Sequence, residues 1–274
     1  MSATMIIAGK EVRDAFRNRW VLGATLLLAG LAFVLAFLGS APTGALDVKP
    51  LAVTVVSLAS LTIFLVPLIA LLLAFDAIVG DVERGTMLLL LTYPVTKTNV
   101  VVGKFLGHSA VLAFATVVGY GGAGLAISLG QGADGQSGQA FAWLLASSVL
   151  LGMVFLAVAY LISVLVRERG TAAGLAVGVW LFFVVLYDMG LLGLLVAAQD
   201  RVGAGVFPYL LLANPTDVYR VFNLTAFENV RTFSGLAGLS GTVSFSPAVL
   251  LTVLVAWIVL PLAVAAAVFG RREL

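Results

Sequence analysis

The chain carries 13 acidic and 15 basic side chains in 274 residues, and their most informative grouping lies between Asp76 and Lys104. That stretch reads DAIVGDVERGTMLLLLTYPVTKTNVVVGK. A charged turn, Gly80-Asp81-Val82-Glu83-Arg84-Gly85-Thr86, runs into an apolar run and then into Tyr93-Pro94 and a basic, polar exit. Carboxylate, guanidinium and hydroxyl groups within a few residues can orient a contact, and the helix formers behind them can present it. A proline then ends the element, because its ring clashes with the preceding turn and it has no N–H to donate. The chemistry implied is a grip for another protein.

Other chemistries are poorly supplied. Nucleotide hydrolysis by a phosphate-binding loop needs Gly-Lys-Ser/Thr after a spaced glycine. The two Gly-Lys pairs here are followed by Glu11 and by Phe105. The absence of Cys excludes a thiolate metal site, and the single His, His108, stands alone, so the sequence offers no credible Ser-His-Asp triad or zinc site. The five Met residues are scattered rather than arranged in rows, so the chain alone makes a poor copper conduit. Asp188 follows Tyr187 in the outer half of an apolar segment. An intramembrane carboxylate is a functional candidate for a proton, a cation or a hydrogen-bonded substrate. It can equally be a structural partner of Tyr187 or lie in an aqueous outer vestibule.

The elements that must position these residues are membrane spans. Hydrophobic residues make up 62% and charged residues 10% of the chain, with mean hydropathy +1.15. Soluble domains carry about a quarter charged residues. A bilayer core about 30 Å thick takes about 20 apolar residues per helix. Six segments qualify: 20–39, 51–75, 103–129, 139–166, 170–197 and 246–269. The first is read as a retained span rather than a cleaved signal, since its apolar core is long and its charged lead is long. Arg167-Glu168-Arg169 separates the fourth and fifth as a tight hairpin.

Lys10, Arg13, Arg17, Arg19, Arg84, Lys97, Lys104, Arg167, Arg169, Arg271 and Arg272 fall on one side; Lys49, Arg201, Arg220 and Arg231 fall on the other. The positive-inside rule then makes both termini and the 76–104 segment cytoplasmic. The loops 40–50, 130–138 and 198–245 face outward. The fold class expected is an all-α integral membrane protein with one transmembrane domain over residues 1–274. It has six spans, an N-terminal interfacial helix, a cytoplasmic coupling helix between spans two and three, and a long outward loop before span six.

Residues 4–19 place Met5, Val12, Phe16 and Trp20 on one side of a helix and Lys10, Arg13, Asp14, Arg17 and Asn18 around the rest. Such a helix lies in the headgroup plane with its basic groups toward anionic lipid; the alternative is an unstructured charged tail. Gly170, Gly174 and Gly178 align at four-residue spacing and permit close backbone approach. Their partner is either a second copy or a neighbouring span. Gly119, Gly121, Gly122 and Gly124 read as local loosening. No internal repeat is evident. In the long outer loop, Asn214 or Thr216 can cap a short helix whose apolar side includes Val218, Phe222 and Val230. Its aromatic character suits a plug in the outer leaflet or a docking surface.

The order Glu83-Arg84-Gly85-Thr86, the apolar run Met87 to Leu91, Pro94, Lys97 and Gly103-Lys104 resembles the cytoplasmic loop of type-2 ABC exporter permeases. Lys97 stands where Arg is common in that family, and the two are not equivalent at bidentate sites. The six-span layout, the pre-membrane helix and the long loop before the last span extend the resemblance over the whole chain. VGDVERGTMLLLLTYPV, the RERG turn and ANPTDVYRVFN are most similar to members serving maturation of nitrous oxide reductase, a periplasmic enzyme with a copper–sulfide centre.

The resemblance implies a homodimer in the bacterial inner membrane, paired with two cytoplasmic ABC ATPase subunits that bind ATP and Mg. This chain itself would hold no cofactor and no catalytic site, and would contact lipid but no nucleic acid. Asp81, Glu83, Arg84, Gly85, Thr86, Pro94, Lys97, Arg167, Glu168 and Arg169 would couple to the ATPase. Tyr209, Asn214, Asp217, Tyr219 and Arg220 would dock a periplasmic partner. The action implied is export of a sulfur species or mechanical drive of that partner. A scaffold with no cargo and an efflux permease for an apolar compound are the alternatives.

Overall fold

The computed structural model describes residues 2–17, 19–38, 50–131, 135–198, 207–225 and 245–273. Helix and turn account for the described residues, with no strand among them. The order is α1 (Ala3–Phe16), α2 (Arg19–Leu38), α3 (Pro50–Ala74), two short helices α4 (Val79–Glu83) and α5 (Thr86–Leu90), then α6 (Lys97–Gln131), α7 (Gly135–Leu165) and α8 (Arg169–Leu181). A π-helical turn, Phe182–Leu186, joins α8 to α9 (Tyr187–Ala198), and α10 (Phe207–Leu212), α11 (Pro215–Thr225) and α12 (Pro247–Arg271) follow.

Five helical stretches are long and apolar enough to cross a membrane: Ser57–Glu83, Lys97–Leu125, Gly138–Leu165, Arg169–Leu194 and Pro247–Arg271. The first expected span falls on α2, where the described apolar stretch is Gly23–Val34. Lys49, Arg201, Arg231, Val230 and most of the three expected outward loops lie outside the described residues.

Helices begin and end where local chemistry requires it. The Thr96 hydroxyl accepts from Asn99 N–H at 3.1 Å and caps α6 two residues after Pro94 has stopped the preceding chain. Ser246 caps α12 ahead of Pro247 in its first turn. Between α4 and α5 the backbone turns through Gly85 at φ 72°, a left-handed conformation that glycine adopts without a Cβ penalty. The single coupling helix expected from the sequence is therefore two short helices joined at this residue.

α7 lies at the centre, packed against α3, α6 and α12, while α1 and α2 pack along α6. Lipid is as apolar as leucine, so these contacts rest on close shape matching rather than on escape from water. Gly103 and Gly107 let the α1 backbone lie directly on α6. A Cβ at Gly103 would stand 2.8 Å from the Thr4 carbonyl, and one at Gly107 would stand 2.6 Å from the Glu11 Cβ and 2.9 Å from the Ala8 carbonyl. Gly119 serves α2 in the same way, its Cβ position being 3.0 Å from the Leu28 Cβ, and Gly124 receives the Phe141 ring. Close packing, not loosening, explains these two glycines.

The N-terminal helix packs on α6 with a side other than the Met5–Phe16 side expected to meet lipid. Ile7, Glu11 and Ala15 face α6, whereas Met5 and Phe16 lie largely exposed, Phe16 edge-on to Phe114 at 4.9 Å. The face of α1 that lies on the glycines of α6 carries a carboxylate, Glu11.

Gly107→Ala should cost about 1–3 kcal/mol of stability and so lower the unfolding midpoint in detergent, because an added methyl meets backbone. Gly30→Ala on α2, with nothing within 4 Å, should leave the midpoint unchanged or raise it through helix propensity. Thermal unfolding of both variants checks this; equal effects would refute the packing account.

Candidate functional site

Two polar clusters organise the molecule, one at the end carrying both termini and one at the opposite end. The first is built around α4 and α5. The Ser163 hydroxyl, fully buried on α7, accepts from Ile78 N–H at 3.0 Å and Val79 N–H at 3.1 Å, so it satisfies donors at the start of α4. Asp81 on α4 accepts from Arg84 at 2.8 Å and from the Thr86 hydroxyl at 3.1 Å, closing the turn across Gly85. Its other oxygen lies 2.7 Å from Lys104 Nζ on α6. The same ammonium lies 2.9 Å from Glu11 Oε1 on α1.

Burial works to push the Glu11 carboxyl up, but Lys104, with His108 and Lys10 beside it, outweighs that and holds it below the ordinary glutamate range. His108 extends the network inward, with Nε2 3.6 Å from Glu11 Oε2 and Nδ1 2.7 Å from the Tyr160 hydroxyl on α7.

On the other flank the turn between α7 and α8 reaches back. Arg169 pairs with Asp76 at 2.7 Å, and its backbone N–H donates to Glu83 Oε1 at 2.8 Å. Lys97 donates to the Arg272 carbonyl at 2.6 Å, and the Arg272 guanidinium donates to the Val164 and Val166 carbonyls that end α7. These held polar groups leave an apolar surface exposed: Leu88, Leu89 and Tyr93 are 57%, 67% and 68% exposed, while Met87 points inward. Arg84, Thr86, Pro94, Arg167 and Glu168 lie on the same exposed end. Asp81, Glu83, Arg84, Gly85, Thr86 and Arg169 are thus one assembly. Arg167 and Glu168 are solvent-facing neighbours with no described tie to it.

The second cluster sits where span five changes pitch. A π turn leaves a backbone carbonyl without its usual i+4 donor. Here the Phe183 carbonyl accepts from Asn214 Nδ2 at 2.9 Å and from the Thr216 hydroxyl at 3.3 Å. Asn214 also caps α11, its Oδ1 accepting from Thr216 N–H at 3.0 Å. Arg220 bridges Asp217 and Asp188, each at 2.8 Å, and the Tyr187 hydroxyl donates to the Leu210 carbonyl at 2.6 Å. Further in, Tyr219 meets Ser148 at 3.0 Å and Asn223 meets Ser147 at 3.1 Å.

Asn214, Asp217 and Tyr219 are buried within the chain, while Tyr209 faces outward and Arg220 is part-exposed. Burial, and then the neighbouring Asp188 carboxylate, outweigh Arg220 and raise the Asp217 carboxyl to about 7.

Gly170, Gly174 and Gly178 have nothing within 4 Å of an added Cβ. Only 11% of the apolar window of span five is buried, against 72% in α7. No described neighbour within the chain packs on this glycine row.

The family model described as ABC-2 family transporter protein covers residues 5–274. The chain belongs to that family. It is 47% identical over 274 residues to the "Probable ABC transporter permease protein NosY" of Stutzerimonas stutzeri, covering 99% of each chain. The protein of the same name from Pseudomonas aeruginosa is 44% identical over 277 residues, covering 100% of each chain. Family membership implies association with ATPase subunits and a dimer.

Glu11 and Ser163 were not marked as site residues by motif or spacing, and Asp76 and Lys104 entered only as bounds of the charged segment and, for Lys104, as part of the family pattern. A carboxylate amid an amphipathic lead and a hydroxyl within an apolar run were the available signals. Only three-dimensional proximity gives them roles.

Asp217 binds its proton more tightly folded than unfolded. The stability it contributes is therefore present at low pH and is lost as pH rises from the ordinary aspartate range through about 7. Between pH 5 and 8 the melting temperature should fall with pH, and Asp217→Asn should flatten that slope. An unchanged slope in the variant would contradict this assignment.

Proposed function

We propose that this chain is the membrane permease of an ATP-driven complex that supports assembly of the copper–sulfide centre of periplasmic nitrous oxide reductase. The observation that carries the reading is the clamped pair α4–α5. Polar groups fix its orientation, and Leu88, Leu89 and Tyr93 are left exposed beside it. A contact surface of that kind suits a rigid partner that must push or pull on spans two and three. The full-length similarity to two proteins named NosY supports the more specific assignment.

In this reading both termini and α4–α5 face the cytoplasm of a bacterium with the bundle in its inner membrane. Two NosF-like ABC ATPase subunits bind ATP and Mg and hydrolyse ATP; this chain does not. Two copies meet through the open glycine row Gly170, Gly174 and Gly178. A NosD-like periplasmic protein docks on the outer surface, where Tyr209 and Arg220 are accessible. Closure of the ATPases moves α4–α5, and the outer end responds by exporting a sulfur species or by driving the periplasmic partner. The chain has no Cys, and its one His is buried against Tyr160 and Glu11. That scarcity of free soft ligands favours sulfur, or no cargo, over a copper ion.

Co-purification in detergent with the neighbouring ATPase subunit tests this. The wild-type chain should retain the subunit. Leu88→Asp with Leu89→Asp should weaken retention by about tenfold or more, as expected for loss of central apolar contacts. Glu83→Ala with Arg84→Ala should also weaken it, by loosening the segment. A folded wild-type chain that retains no ATPase would discard the reading.

A further inference from the structure

Lys104 is the one cation shared by two carboxylates from different elements at this end of the described structure. Its side chain is 5% exposed, and those of Glu11 and Asp81 are 10% and 18% exposed. Lys10 lies 3.2 Å from Glu11, and Arg84 lies 2.8 Å from Asp81. The cluster is thereby supplied with positive charge on both sides. Pulling either carboxylate off a buried ammonium strands a charge where water does not readily replace the partner.

The tie on the opposite flank differs. Arg169 and Asp76 are 46% and 25% exposed, so water substitutes at little cost when that pair opens. Ser163 holds only the first residues of α4, through neutral hydrogen bonds to Ile78 and Val79. α4 is thus hinged at its start on α7 and pinned further along to α6 and α1. Gly103 and Gly107 flank Lys104 on α6 and seat α1 by backbone contact, so the pin and the packing act on the same stretch.

We propose that Lys104 and Glu11 are positioning residues for ATP coupling: they fasten α1 to the coupling segment, so that α1, α4–α5 and α6 move as one body. The N-terminal helix is then a moving part as well as a membrane anchor. The inference rests on the permease–ATPase reading above.

The test uses the full chain with its ATPase partner in lipid nanodiscs. The sequence has no Cys, so one introduced thiol carries a single environment-sensitive fluorophore per copy. Gly9→Cys reports on α1, where nothing lies within 4 Å of an added Cβ, and Thr92→Cys reports on the exposed end of the coupling segment. Spectra are compared without nucleotide and with ATP trapped by vanadate.

Both labels should respond in the otherwise wild-type chain. Glu11→Gln and Asp81→Asn should each abolish the Gly9→Cys response while the Thr92→Cys response persists. Lys104→Arg, which keeps the cation and can serve both carboxylates, should preserve both. A purely structural role would reduce yield without silencing one label selectively. In the otherwise wild-type chain, a Gly9→Cys label silent beside a responding Thr92→Cys label overturns the inference and leaves the permease reading standing. Full response at Gly9→Cys in assembled Glu11→Gln complex overturns it too. Should Glu11→Gln fail to fold, the comparison of the two labels in the parent chain still decides. Failure to hold the ATPase at all overturns both readings together.

Discussion

One buried ammonium, Lys104, neutralises two carboxylates that reach it from separate elements, Asp81 at 2.7 Å and Glu11 at 2.9 Å. The charged end is arranged around that constraint. A lone buried cation is costly, and a lone buried carboxylate equally so, so α1, α4 and α6 must arrive together. Glycines on α6 make the approach of α1 sterically possible. Asp81 spends its second oxygen on Arg84 and Thr86, which fixes the turn at Gly85. With the polar groups of α4 and α5 occupied internally, the surface left for a partner is mainly aliphatic and aromatic.

The opposite end meets a different constraint. Span five departs from regular α-helix at Phe182–Leu186, and the departure is stabilised by groups far along the chain. Asn214 and Thr216 take the Phe183 carbonyl, and Arg220 ties α11 back to Asp188. Asp188, an isolated acid in an apolar helix, is thereby an ion-pair partner as well as a candidate for proton chemistry. The two ends are connected through α7, which carries Ser163 and Tyr160 toward one cluster and Ser147 and Ser148 toward the other. This central, mostly buried helix is thereby the element that contacts both polar clusters.

Much of the architecture was legible from local rules. Long apolar runs, the basic bias of one set of connections, Pro94 and the cap at Asn214 or Thr216 depend on residues close in sequence, and hydropathy and turn chemistry read such features directly. The charged segment was legible too, because Asp81, Glu83 and Arg84 concentrate charge between long apolar runs.

Other features depended on distance in space. No spacing rule joins Glu11 to Lys104, or Asn214 to Phe183, since 93 and 31 residues separate them and charge complementarity acts only once the helices are packed. The face of α1 that packs inward, with Ile7, Glu11 and Ala15 near the glycines of α6, follows from the docking of two helices and not from a pattern within α1. The sequence by itself determined that this is a membrane bundle with a charged contact segment on one side. The tertiary structure decided which groups hold that segment, which are left free for a partner, and that Asn214, Asp217 and Tyr219 turn inward. The reason is that ion pairing, backbone capture and close packing join residues whose neighbourhood is created only by folding.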